Sequence, residues 1–202
     1  RVGTSRVAPV FVKVTLGEAF PRLSIVTNRR NDGAHYVGPI ATRRQAKDVV
    51  EAIHSVTKIR RCTAVPKSRA DCGPCATAQL GASACPCTGF TPLHVYDQIV
   101  STVVVELNER PDRMFDRLRD RMNALALEER FEEAADTRDR AAALAAALGR
   151  QRTVERLTRA ETIEVELPGV GGAELRNGRL VRSWTADGSA PLFSNLATTE
   201  TS

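Results

Sequence analysis

Four of the chain's five cysteines fall within eighteen residues, in the stretch CGPCATAQLGASACPCTG that begins at Cys72. Cys72 and Cys75 form a C-x-x-C pair, Cys85 and Cys87 a C-x-C pair, and nine residues separate the two. The fifth cysteine, Cys62, lies upstream. A C-x-x-C turn brings two thiolates to one side, where they can share an ion. Four thiolates select zinc or an iron–sulfur cluster, both soft-ligand sites, and spacing leaves that choice open. Three other readings compete. A disulfide framework fits poorly with an odd cysteine count, and a redox C-x-x-C lacks a surrounding βαβ pattern. A run of small buried residues in an Ala-rich segment has the same composition.

A second kind of chemistry is carried by basic residues. Residues 1–70 hold 14 Lys and Arg against 4 Asp and Glu, while the remainder holds 15 against 20. A basic front half favours a polyanion, because each neutralised phosphate releases counterions. Arg29, Arg30, Arg43, Arg44 and Lys47 are the candidate phosphate contacts; the competing reading is a solvated face. His35, His54 and His94 are isolated and read as surface or hydrogen-bonded core histidines. Tyr36 reads as a packing residue in a Tyr-x-Gly-Pro turn, with Gly38 and Pro39 fixing the bend. Trp184 reads as an anchor for a terminal hairpin. The glycines of LPGVGGAE lack the lysine and the strand–loop–helix context of a phosphate loop.

These residues need elements to position them. PVFVKVT (9–15) and RLSIVTN (22–28) alternate at period two, with Gly, Pro and Asn-Asp-Gly turns around them. They predict two or three short antiparallel strands. From Thr42 to about Val56 the apolar residues Ala46, Val49, Val50 and Ile53 recur at helical spacing, with Thr42 as N-cap. Residues 59–90 have little periodicity, and such a segment needs a cross-link or a metal to order it. A helix is predicted from Pro92 to Leu107, with Val95, Ile99, Val103 and Leu107 along one side. Pro111 suits a first helical turn. Two strong helix formers follow, Asp112 to about Ala126 and about Glu128 onward. So short a link should fold them back as an antiparallel pair. IEVELPG and AELRNGRLVRSW, with Asn177-Gly178 between alternating runs, predict a small β-hairpin.

The bulk properties set limits. The 202 residues suffice for one or two domains. Apolar residues make up 42% and aromatics 4%, so the core is expected to be built of small side chains. No apolar run approaches the roughly 20 residues of a membrane span, and the first residues do not read as a signal peptide. The chain begins at Arg1 rather than Met, so a piece of a longer protein is expected. The odd cysteine count favours a reducing, cytoplasmic setting.

Taken in order, several stretches resemble the UvrC family of excinucleases, including actinobacterial relatives in which an exonuclease is fused to a UvrC-like region. They are FPRLSIVTNRRNDGAHYVGPI, ending in Tyr36-Val37-Gly38-Pro39-Ile40; the Arg-Cys element IRRCT; CATAQLGASACPCTG; and RMNALALEERFEEAADTRDRAAAL. The last resembles the UVR motif. The resemblance covers roughly residues 8–150 and is weaker for the hairpin after 160.

What the resemblance implies can be carried over residue by residue. The family's nuclease domain has a GIY-YIG fold with catalytic Tyr and Arg and a Glu that holds a divalent metal. Neither a GIY nor a YIG tripeptide occurs here, so no catalytic residue is expected in this chain, and magnesium belongs to the parent nuclease. The family's four-cysteine element is associated with an iron–sulfur cluster. Cys62, Cys75 and Cys87 fall on matched positions, the third position lands on Ser83, Cys85 could replace it, and Cys72 is an extra candidate. The implied cofactor is a 4Fe-4S cluster, with zinc as the alternative. The UVR motif implies an α-hairpin that pairs with a like hairpin in the damage-recognition protein UvrB. Phe131, Glu132, Ala135, Arg138 and Asp139 would form that surface. By spacing alone, Phe131 could instead pack on Leu118 inside the hairpin.

The expected architecture is α+β. Residues 1–58 would close a GIY-YIG-type antiparallel sheet with its helix, and 59–90 would form a cysteine-rich metal module. Residues 91–150 would hold the UVR-like hairpin, and 151–202 a small β-element and tail. The expected function is a portion of a DNA-repair nuclease, in nucleotide excision repair or DNA end processing, that positions DNA and recruits a partner. The alternative is a non-catalytic, metal-stapled adaptor.

Overall fold

A computed structural model describes residues 8–63, 76–84 and 91–188. The described part is mixed α and β, with two three-stranded antiparallel sheets and five helices. The chain divides into two compact units, 1–150 and 151–202.

The first unit begins with β1 (Val10–Val14), β2 (Leu23–Val26) and β3 (His35–Ile40), in the order β2-β1-β3. Alternation in β1 turns Val10, Val12 and Val14 inward. Across the strands Val12 pairs with Ile25 and Val37, and Lys13 with Ser24 and Tyr36. Tyr36, Gly38 and Pro39 lie within β3 rather than in a turn, at a register shift opposite Val10 and Val12. Gly38 has φ +135°, and a Cβ there would lie 3.0 Å from the Phe11 ring and 3.2 Å from the Val10 carbonyl. Close approach of β1 and β3 therefore requires glycine at this position.

Helix α1 (Arg43–Val56) packs on this sheet through Ala46, Val49, Ala52 and Ile53, all fully buried. The Thr42 hydroxyl accepts from the Gln45 amide at 3.2 Å, which satisfies one of the free N–H groups of the first turn. A single turn, α2 (Ala76–Gln79), follows. Ser83, where the family resemblance leads one to expect a cysteine, is buried and donates to the Thr77 hydroxyl at 3.1 Å.

Helix α3 (Leu93–Asn108) buries Tyr96, Val100, Val103 and Leu107. The stripe is rotated from the expected one: Val95 and Ile99 are only half-buried, and Tyr96 takes the inner position. The reason is polar as well as apolar. The Tyr96 hydroxyl donates to the Pro21 carbonyl at 2.5 Å and accepts the Arg60 amide at 3.0 Å, so the helix turns its tyrosine toward these groups. Arg60 itself is 1% exposed; it donates to the Phe20 carbonyl and pairs with Glu18 at 2.7 Å. A buried guanidinium is tolerated only when paired and hydrogen-bonded.

Helix α4 (Pro111–Leu127) has Pro111 in its first turn, as expected. The Arg117 side chain makes a bidentate pair with Glu106 of α3, which is buried. Helix α5 (Phe131–Arg159) starts three residues later than the sequence pattern indicates. The link is Glu128–Arg130, in which Glu129 adopts φ +60° and the Arg130 amide donates back to Leu125. This left-handed residue stops α4. Met114 and Leu118 of α4 and Leu144, Ala147 and Leu148 of α5 belong to one apolar core. No helix among the described residues is long and apolar enough to cross a membrane.

The second unit holds β4 (Thr162–Leu167), β5 (Gly171–Arg176) and β6 (Arg179–Thr185) as a meander, one strand more than the expected hairpin. Asn177 and Gly178 both have positive φ, as a tight β5–β6 turn requires. Trp184 lies across Gly172, where an added Cβ would fall 2.2 Å from the ring, and Arg182 covers Trp184 at 5.0 Å.

Candidate functional site

The basic candidates are sorted by the fold. Arg30 and Arg43 line one concavity of about 410 Å³ with Lys13, Asn28 and Tyr36. Arg43 and Lys47 line an adjoining one of about 480 Å³ with Arg22 and Glu51. The two share Ile25 and Arg43, so the N-terminal turn of α1 and the end of β2 form one continuous basic face. Arg29 lines neither concavity but sits 5.7 Å from the centre of the Tyr36 ring, which does. Arg44 lines neither concavity. Lys13 and Arg22 were not singled out by sequence, because each is one cation inside or beside a strand; only strand pairing places them beside Arg30 and Arg43.

Local hydrogen bonds hold this face in shape. Lys13 pairs with Asp32 at 2.5 Å, and the Tyr36 hydroxyl donates to Asp32 at 3.0 Å. The hydrogen bond from Lys13 holds the Asp32 carboxyl below the usual carboxylate range. The Asp32-Gly33 turn is thus tied to two strands.

The cysteine cluster is only partly visible. Cys72, Cys75, Cys85 and Cys87 lie outside the described residues. Cys62 is a free, half-buried thiol. Arg60 Nη1 donates to the Cys62 carbonyl at 2.9 Å and lies 3.5 Å from its Sγ. The residue is thereby fixed to the same buried guanidinium that binds Glu18 and Phe20. Among the described residues no group of three or more His, Cys, Asp or Glu is arranged to hold a metal.

The hairpin residues divide between its two faces. Ala134 and Thr137 are buried, whereas Phe131 is 65% exposed. Phe131 does not pack on Leu118, which is buried in the core. Phe131, Ala135 and Arg138 recur at helical spacing along one side of α5, with Ala135 half-buried and Arg138 exposed. Glu132 and Asp139 are exposed beside them, and Asp139 pairs with Arg138 at 2.8 Å. Leu127, at the end of α4, is 87% exposed, so two large apolar side chains flank the link. Arg130 grips Glu133 through two bonds of 2.7 Å and Glu128 at 2.9 Å, which stiffens that link.

His54 meets only half of the expectation of a satisfied core histidine: its ring hydrogen-bonds the Ile59 backbone, but one nitrogen is left over. It is 7% exposed, and its Nδ1 has no hydrogen-bond partner among the described residues. Burial, with a further contribution from the Arg61 charge, lowers its pKa to about 4.

Residues 10–106 match the UvrC/Cho excinuclease middle domain. The matched segment spans the first sheet, α1, α2 and most of α3. The chain is 35% identical over 144 residues to UvrABC system protein C of Syntrophus aciditrophicus (strain SB), covering 71% of this chain and 23% of the relative. It is 31% identical over 142 residues to the protein of that name from Clostridium kluyveri, covering 70% and 23%. The Moorella thermoacetica protein is 31% identical over 132 residues, covering 64% and 21%. The chain thus spans less than a quarter of the length of these relatives. No solved structure matches it.

Proposed function

We propose that this chain, whose residues 10–106 match the UvrC/Cho excinuclease middle domain, is the portion of a nucleotide-excision-repair nuclease that holds DNA and recruits a repair partner. Incision chemistry would be carried elsewhere in the parent protein. DNA would lie on the basic face formed by Lys13, Arg29, Arg30, Arg43 and Lys47, which would grip phosphates and so position the duplex without reading its sequence. Arg44 would contribute from beside it. The partner would be a UvrB-like damage-recognition protein, bound through the α4–α5 hairpin.

The observation that carries the partner assignment is the exposure of both Phe131 and Leu127, at the two ends of the α4–α5 link. A helical hairpin that buries its small residues inside and leaves an aromatic ring outside has the anatomy of an interface anchor with a charged rim. Glu132, Ala135, Arg138 and Asp139 would form the rest of that surface. Cys62, with Cys72, Cys75, Cys85 and Cys87 as the remaining candidates, would hold a 4Fe-4S cluster, or zinc in its place. Such a group would act as a cross-link in a segment poor in apolar residues.

The test is calorimetric titration of the full chain with purified UvrB. Phe131→Ala should weaken binding by about tenfold or more, as loss of an anchor does, with an unchanged circular-dichroism spectrum. Unaltered affinity would remove the hairpin tip from the interface.

A further inference from the structure

A second basic cavity lies apart from the face assigned to DNA. It has a volume of about 370 Å³ and is lined by His54, Lys58, Arg61 and Arg121, with Ser55–Thr57 and Gly81–Ala82 completing the wall. We propose that this cavity is a binding site for a phosphate group.

Three observations converge on it. First, every charged residue in its lining is a cation, and no carboxylate contributes. The three come from different places: Lys58 and Arg61 from the segment after α1, and Arg121 from α4. Only tertiary packing brings them together. Second, a buried donor of its walls, Arg61 Nε, has no partner among the described residues; His54 Nδ1 is also unpartnered, but in the neutral ring it is an acceptor and serves only as a reporter of the site. Buried polar atoms are rarely left unpaired, and such an exception marks a place where an ion, water or ligand can bind. Third, Arg61 is already oriented: its Nη1 donates to Glu51 at 2.9 Å, which leaves the Nε edge of the guanidinium for another acceptor.

The competing role for these cations is to complement the C-terminal end of α1. That end carries about half an elementary negative charge. Two of its carbonyls are already bonded by hydroxyls, Ala52 by Ser55 at 2.7 Å and Ile53 by Thr57 at 2.8 Å. Glu51 neutralises part of Arg61. Lys58 and Arg121 still leave the cavity net positive. A tetrahedral anion supplies several acceptor oxygens to separate N–H donors, which suits cations arriving from several directions. The phosphate could belong to a nucleic-acid backbone or to a free phosphorylated molecule.

The experiment is nuclear magnetic resonance of the isotope-labelled full chain. It is titrated with inorganic phosphate and, separately, with a short DNA duplex, at constant chloride. Phosphate should shift the His54 imidazole and Arg61 Nε resonances, and the Lys58→Gln, Arg121→Gln double variant should weaken that response by about tenfold. Both side chains are exposed, so the variant leaves the core intact. If the double variant also loses duplex affinity, the phosphate is that of a nucleic-acid backbone. If duplex affinity is unchanged while the phosphate response is lost, the site serves a free phosphorylated molecule. No shift at His54 or Arg61 with either probe overturns the proposal, as does a shift the double variant leaves intact. Because Lys58 and Arg121 lie outside the basic face of α1 and β2, failure here is distinguishable from failure of the DNA assignment there.

Discussion

The backbone N–H of Arg60 donates to the hydroxyl of Tyr96 at 3.0 Å, across 36 residues of sequence. The same hydroxyl donates to Pro21. One phenol therefore joins three segments: the β1–β2 connection, the strand-like stretch before Cys62, and α3. Arg22 and Arg60 form a parallel bridge alongside it, and the Phe20 ring meets Tyr96 edge-on at 6.5 Å. Arg60 then reaches Cys62. The position of the one described cysteine thus depends on α3, far along the chain.

Tyr96→Phe keeps the ring and removes the hydroxyl. It leaves the Arg60 N–H and the Pro21 carbonyl buried without this partner, at a cost of about 1–3 kcal/mol. Urea unfolding followed by circular dichroism checks this. A loss below about 0.5 kcal/mol would mean water replaces the hydroxyl at no cost.

Stability should fall as pH drops through the window set by His54. Its pKa is lowered from 6.5 to about 4 in the folded protein, so between those values the unfolded chain binds more protons. The contribution is therefore fully present above 6.5 and lost progressively toward about 4. Its size is on the order of 3 kcal/mol. Unfolding of wild type and His54→Gln at several pH values isolates it from carboxylate titration: their difference should change across this window and be flat above it.

Charge reversal on α1 should separate two adjacent arginines. Arg43 is shared by both concavities of the basic face, whereas Arg44 lines neither. Arg43→Glu with Arg44→Glu should weaken DNA binding and flatten its salt dependence, by about one unit of log–log slope for each phosphate no longer neutralised. Arg43→Glu alone should account for most of the effect. Fluorescence anisotropy with a labelled duplex at several salt concentrations checks both, and equal effects of the two single variants would contradict the geometry.

An anaerobic preparation should contain iron and labile sulfide and show visible absorption. Cys62→Ser should reduce the metal content. Elemental analysis that finds zinc selects the alternative ligand chemistry, and a preparation holding neither metal would rule out the cysteine site.

The sequence by itself determined the local elements and the resemblance to UvrC. Period-two alternation around Val10, Val12 and Val14, helical spacing from Ala46 to Ile53, the Thr42 cap and the Asn177-Gly178 turn are short-range signals. Each rests on steric or hydrogen-bonding preferences within a few residues, so each is legible without a fold. The surface of Phe131, Glu132, Ala135, Arg138 and Asp139 came from the family resemblance, since helical spacing alone allowed Phe131 inside the hairpin. What only the tertiary structure decided involves residues far apart. Spacing along α3 favoured Val95 and Ile99, but Tyr96 turned inward because Pro21 and Arg60 offered it hydrogen bonds. Phe131 could have packed inside the hairpin, but the core was filled by Met114, Leu118 and Leu144. Lys13 gained significance from strand pairing, and His54 from the arrival of Arg61 and Arg121. Hydrophobic periodicity says that a side is buried. Which groups meet there, and which polar atoms are left over, depends on partners that only the folded chain brings within reach.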